Sequence, residues 1–287
     1  MTEGHIDFRQ QREFGILLNA TFSFLKQNFS KLGKALIFFA GPFMLLQGIA
    51  TFYYETNVFN LTATIKAYGF SAFYDQYFPY IMFLLITASL SSLIVMLTVY
   101  SYIKLYIGNG KDGFTLQEVW QNVPKYFLRI LGATFVCGLV LIVGLCMCIL
   151  PGIYLGVSLS LIIVIIIFED KPFGAAFSRS FKLTHYHWWW IVLLFIVIYA
   201  IIYIIDLIFE IPQLIIMASY GFHTLNHDVG NYDTIKYLMI IFTIIKTFVS
   251  SLLMGIIFIA LTFEYFNIIE MKESPSLEQK IEELEKN

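Results

Sequence analysis

The chain is predicted to be an all-α polytopic membrane protein: six transmembrane helices and three cytoplasmic interfacial amphipathic helices, each interfacial helix preceding a pair of spans. Three observations predict this. Hydrophobic residues make up 59% of the 287-residue chain and charged residues 13%, with a mean hydropathy of +0.75, an apolar load that a water-soluble domain could not carry on its surface. Residues 130–168 form a run of 39 without one charged side chain, about twice the ~20 that a helix needs to cross a bilayer. After Phe168 charge returns at once, and apolar residues recur at helical spacing through Phe173, Ala176, Phe177, Ser180, Phe181, Thr184 and Trp188, opposite Arg179 and Lys182. That pattern describes a helix lying in the membrane interface, with Trp188, Trp189 and Trp190 as an aromatic belt leading into the next span.

Taken in order, residues 1–12 are polar and mixed in charge, unlike the basic start and immediate apolar core of a signal peptide, so the first span is expected to be retained. Leu17, Leu18, Phe22, Leu25, Phe29 and Leu32 share one helical face, which predicts an interfacial helix. Span one is predicted at 35–54, with Gly41-Pro42 inside it, since neighbouring helices can satisfy a carbonyl freed by proline. The polar residues of 55–77 predict a loop, and span two follows at 78–103. The turn cluster from Gly108 to Gly113 precedes Leu116, Val119, Trp120, Val123, Phe127 and Ile130, again at helical spacing. Spans three and four, at 130–149 and 151–168, form a hairpin that turns at Pro151-Gly152. Span five is predicted at 188–209, a second long loop at 211–236, and span six at 237–263. The membrane domain is thus read as a single unit over 1–272, with residues 273–287 as a charged, helical cytoplasmic tail.

Orientation follows from lysine and arginine. Fifteen of the eighteen fall on one side of this layout, only Lys66 and Lys236 on the other, and Lys246 lies within a span. Cytoplasmic segments carry the positive excess, which places both termini and the three interfacial helices in the cytoplasm. The unit of interfacial helix plus two spans then occurs three times, an architectural repeat supported by sparse matches such as Phe14, Gly15 and Phe22 with Phe173, Gly174 and Phe181.

The features around the central hairpin are a Pro-Gly that opens a span, an acidic residue that ends it, and an Ala…Arg-Ser…Leu helix leading into Trp. They fall on Pro151, Gly152, Glu169, Ala176, Arg179, Ser180, Leu183 and Trp188. This segment resembles a broad group of bacterial multi-pass membrane proteins that includes the integral membrane domain of some glycerophosphodiester phosphodiesterases. The resemblance covers about forty residues well and the six-span layout loosely. It implies a bacterial inner membrane location, and its residues are topological more than catalytic. It implies no phosphodiesterase activity here, because it touches the membrane part only.

Chemistry-bearing clusters are few. A net charge of −2 gives no nucleic-acid footprint. Cys146 and Cys148 point about 200° apart on a helix, and with Cys137 they are read as span packing, not a soft-metal pair. His223, His227 and Asp228 could ligate a metal, but loop polarity is the reading preferred, and neither metal nor cofactor is expected. Glu169 and Asp170 suit the start of a helix, where carboxylates favour free amides; a lipid headgroup or protein partner is the alternative reading. The remaining signal is intramembrane charge. A lysine near mid-bilayer costs roughly 2.5–3.5 kcal/mol, so Lys246 must snorkel, pair or face water. Lys246 lies ~14 Å below the outer end of span six and Asp206 ~27 Å up span five, so the pair expected is Lys246 with Asp206, with Glu210 one turn further on the same face. Without a phosphate loop, nucleophile motif or paired carboxylates, no enzyme is expected. The function expected is a scaffold or accessory subunit of a membrane assembly, with the bilayer and a membrane or cytoplasmic protein as partners; the alternative is a small-solute or lipid transporter or permease-like subunit.

Overall fold

The computed structural model describes residues 6–58, 71, 73–226 and 232–273. Among these the chain is helical and contains no strand. The helices are α1 (Phe14–Phe39), α2 (Gly41–Val58), a π-helical turn (Phe73–Tyr77), α3 (Phe78–Asn109), α4 (Leu116–Met147), α5 (Ile149–Leu159), α6 (Ile162–Phe168), α7 (Phe173–Thr184), α8 (Trp188–Asn226) and α9 (Tyr232–Glu273). Among the described residues five segments are long and apolar enough to cross a membrane, and the bent pair α1 and α2 makes a sixth if counted as one span. The protein is therefore an all-α polytopic membrane protein.

Several boundaries differ from those expected, each for a local reason. Span one is not one straight helix through Gly41-Pro42: the chain bends by 61° at Ala40, and Pro42 sits in the first turn of α2, where its missing N–H costs nothing. The surface helix expected from Leu116 and span three are one continuous helix, α4. Thr115 starts it with a capping box, its hydroxyl accepting from the Glu118 N–H while the Glu118 carboxylate accepts from the Thr115 N–H. The helix continues unbroken to Met147, with Pro124 absorbed in its first third. Span four keeps close to its expected extent as one segment, Ile149–Phe168, with a local interruption where Ser160 bonds back to the Val157 carbonyl through both its hydroxyl and its N–H and so ends α5. The loop expected over 211–236 is helical as far as Asn226, since Pro212 is tolerated inside α8 and the residues after it keep an apolar face. α9 runs to Glu273, well past Phe263. Most of the loop predicted at 55–77 (residues 59–70 and 72), residues 227–231 and the tail from 274 lie outside the described residues.

The contacts divide the chain into two compact units, each described by itself. Unit 1 comprises Met1–Ala35, Met96–Tyr199 and Gly255–Asn287; unit 2 comprises Leu36–Val95 and Ala200–Met254. The interior of unit 1 is aromatic. Phe8, the one phenylalanine of the polar start, stacks on Phe263 at 4.1 Å and meets Phe24 edge-on at 5.1 Å. Phe24 meets Tyr106 at 5.0 Å, and the Tyr106 hydroxyl accepts from the Ile6 N–H at 3.0 Å. Burying a phenylalanine of this kind stabilises by roughly 1.5–3 kcal/mol, enough to fix the extended start of the chain inside the unit. Residues 162–167 of α6 are buried on every face, which explains why their sequence shows no polar side. α4 and α5 pack closely at Gly152: a Cβ there would lie 2.3 Å from Leu145 Cδ2 and 3.1 Å from Leu145 Cα.

Candidate functional site

Unit 2 contains a cavity of about 420 Å³ inside segments predicted to span the membrane, bordered by α2, α3, α8 and α9. Gln47 and Thr51 lie one turn apart on α2, so both can face it. Ser92 comes from α3, Asp206 from α8, and Lys246, Thr247, Ser250 and Ser251 from α9. The close approach that organises this side is Gly48, whose added Cβ would sit 3.1 Å from the Cα of Ile244. It brings the Ser251 hydroxyl to the Gln47 side-chain carbonyl at 3.2 Å.

The charges arrange themselves by helix direction. α8 and α9 run antiparallel here, so one turn forward on α8 corresponds to one turn back on α9. Ser250 therefore meets Asp206, donating at 2.8 Å, and Lys246 meets Glu210, with Nζ to Oε2 at 2.5 Å. Of the three residues singled out in the sequence, Lys246 and Glu210 are brought together, while Asp206 pairs with a hydroxyl instead of the lysine. Sequence reasoning missed a further carboxylate. Glu55, near the end of α2, accepts from the Gln213 amide at 2.9 Å and from the Thr243 hydroxyl at 3.0 Å. Gln213 follows Pro212 directly and is almost wholly buried. Its place beside a helix-interior proline was the available signal, but the loop expected there concealed it. Three carboxylates and one ammonium thus occupy this part of unit 2.

The motif residues around the central hairpin have a different role: in unit 1 they hold α7. Pro151 is exposed in the first turn of α5, and Gly152 makes the close contact described above. The Ser180 hydroxyl donates to the Ser158 carbonyl left free where α5 ends. Trp188 stacks on Tyr154, ring centres 6.0 Å apart, and its indole N–H reaches the Tyr154 carbonyl at 3.4 Å. Arg179 donates to Glu169 at 2.5 Å and, through both terminal nitrogens, to Glu273 at 2.8 and 2.9 Å. Glu169 also takes Lys171 and the Tyr265 hydroxyl. Asp170 adopts φ 51°, a left-handed conformation in which a non-glycine residue is uncommon; its carboxylate accepts from Lys104 at 3.0 Å and Tyr126 at 2.8 Å. Neither acid caps α7, whose N-cap is Pro172 with no side-chain bond.

Burial alone would raise the Glu169 carboxyl, but hydrogen bonds from Lys171, Tyr265 and Arg179 outweigh it and hold it below the ordinary range. Asp170 is depressed in the same way by Lys104 and Tyr126. Bonds to Glu273 and Glu169 raise Arg179. A carboxylate lowered in the folded state adds stability that is complete above its unfolded value and lost as pH falls through the folded value. Thermal unfolding of the detergent-solubilised protein should therefore weaken only below the ordinary carboxylate range. The Glu169→Gln, Asp170→Asn variant should start less stable and show a shallower acid dependence; an unchanged acid slope would remove these two groups as its source.

Among the described residues no cluster of three or more histidine, cysteine, aspartate or glutamate side chains is placed to hold a metal. The side chains of His223, His227 and Asp228 lie outside the described part. Cys137, Cys146 and Cys148 are free thiols. No family model, curated protein or solved structure matches the chain.

Proposed function

We propose that this chain is a non-catalytic, permease-like protein of the bacterial inner membrane that takes a small polar solute or a lipid headgroup into the cavity of unit 2. The observation supporting this reading is the cavity's lining. Lys246 and Asp206, with the hydroxyls of Thr51, Ser92, Thr247 and Ser250, surround about 420 Å³ between helices long and apolar enough to cross a membrane, the bent pair included. Ionisable groups are expensive within a bilayer and mark solute or ion pathways. Apolar side chains of equal volume would hold the same helices together at no electrostatic cost. The excess of lysine and arginine on one side supports the inner-membrane orientation, with both termini in the cytoplasm. A second reading, a scaffold or accessory subunit, is favoured by α4: only 17% of its apolar window is buried, leaving Phe135, Leu139, Ile142 and Val143 exposed to lipid or to a membrane protein partner.

Thiol accessibility tests the cavity. In a chain whose three cysteines are replaced by serine, Ser250→Cys should react in intact membranes with a small hydrophilic thiol reagent. Ile245→Cys, on an exposed apolar face, should stay silent. An unreactive Ser250→Cys means a dry site and defeats the permease reading.

A further inference from the structure

A second cavity, of about 490 Å³, lies within unit 1, where Glu264 and Asn267 of α9 meet Phe14 at the start of α1 and Trp190 at the start of α8. Glu13, Gly15, His187 and Met271 also line it. Glu264 is only 4% exposed. One of its oxygens accepts a long hydrogen bond from the Asn267 amide at 3.3 Å, and among the described residues no cation pairs with it. Arg12 borders the same space but is committed elsewhere: its guanidinium donates to the carbonyls of Asp7, Phe8 and Gln10 and lies over the ring of Phe263. A buried carboxylate without a counter-ion is costly, and one that opens on a cavity can recover that cost from a ligand.

The rest of the wall says what the ligand carries. The Phe14 and Trp190 rings stand 6.0 Å apart and tilted by 37°, offering aromatic faces beside the acid. Aromatic faces together with a carboxylate are the surroundings that hold ammonium groups. Burial, assisted by Lys272, lowers His187, so that it stays neutral near pH 7 and brings a hydrogen-bonding nitrogen without adding positive charge. The volume lies within the usual range of small-ligand sites, and Trp190 belongs to the aromatic belt that marks headgroup depth. We infer that this cavity binds the ammonium head of an organic amine, with Glu264 as its counter-ion and Phe14 and Trp190 as its aromatic wall. The inference stands on unit 1 alone and does not depend on the cavity of unit 2.

The ammonium can come from an aminophospholipid or from a free amine, and the experiment separates them. Full-length protein purified in detergent is titrated with phosphatidylethanolamine, phosphatidylglycerol or ethanolamine, read by native mass spectrometry and by thermal shift. The wild type should favour phosphatidylethanolamine over phosphatidylglycerol by about ten-fold. Glu264→Gln, nearly identical in shape, should abolish that preference, and Trp190→Leu should weaken it several-fold. Competition by ethanolamine identifies a soluble amine as sufficient; binding of the lipid without such competition identifies the headgroup in its bilayer setting. Equal binding of the two lipids by the wild type together with no ethanolamine shift, or a preference that survives Glu264→Gln, overturns the inference.

Discussion

Arg179→Ala is expected to lower the stability of the solubilised protein by roughly 2–3 kcal/mol, while Lys182→Ala, one turn away, should change it by less than about 0.5 kcal/mol. The difference lies in what each cation holds. Arg179 is 23% exposed and Glu169 15%, and the guanidinium reaches Glu169 with Nε and grips both oxygens of Glu273 with its fork. Its removal leaves a half-buried carboxylate with Lys171 and Tyr265 as remaining partners, and leaves Lys272 as the tie between the end of α9 and α7. Such charge-assisted, bidentate contacts are the strong ones. The Lys182 side chain is exposed; it is the backbone carbonyl of Lys182 that receives Lys272, and this survives the substitution. Arg179→Lys should recover less than half of the loss, because a lysine cannot form the fork. Thermal unfolding followed by tryptophan fluorescence checks this, and equal midpoints for the Arg179 and Lys182 alanine variants would remove the latch.

The polytopic class was legible in the sequence because its cause is local: apolar runs must cross something, and their lengths can be counted. α7 was legible for the same reason, since Phe173, Phe177 and Phe181 repeat at one helical spacing with charge opposite, and those rings do line one side of α7. What polar residues bind was not legible. Arg179 finds Glu273 at a separation of 94 residues, and Ser251 finds Gln47 at 204, distances that no period can reveal. Phe8 gave no signal, because a single aromatic among polar neighbours has no pattern. The proline positions misled in both directions. Pro42 starts a second helix after a bend where one continuous span helix was expected, and Pro212 lies inside a helix where a loop was expected. The outcome turns on tertiary partners for the freed carbonyl, which the sequence does not name. The candidate site was half visible: charge in a span marks Lys246, Asp206 and Glu210, but the choice of partner depends on the register between α8 and α9.

That register gives the largest effect expected in unit 2. Lys246→Met should destabilise the protein by roughly 2–3 kcal/mol, less than the 3–5 typical of a fully buried pair, because the lysine side chain is 22% exposed and that of Glu210 37%. Glu210→Gln should cost a similar amount by leaving the ammonium alone. The double variant Lys246→Met, Glu210→Gln should recover most of both losses, since no unpaired charge remains from the pair. Lys246→Met combined with Asp206→Asn should instead give losses that nearly add, because Asp206 is held by Ser250 and not by the lysine. The two double variants differ by one helical turn on α8 and predict opposite couplings, so the experiment reads the register directly. Recovery with Asp206→Asn and none with Glu210→Gln would reverse the assignment and move the charged end of the lysine one turn along α8, toward the cavity. If the recovered Lys246→Met, Glu210→Gln protein still folds but its Ser250→Cys thiol no longer reacts with the hydrophilic reagent, the pair is what keeps the cavity hydrated, and the same two side chains then carry both the stability of unit 2 and the access to its cavity on which the proposed permease role rests.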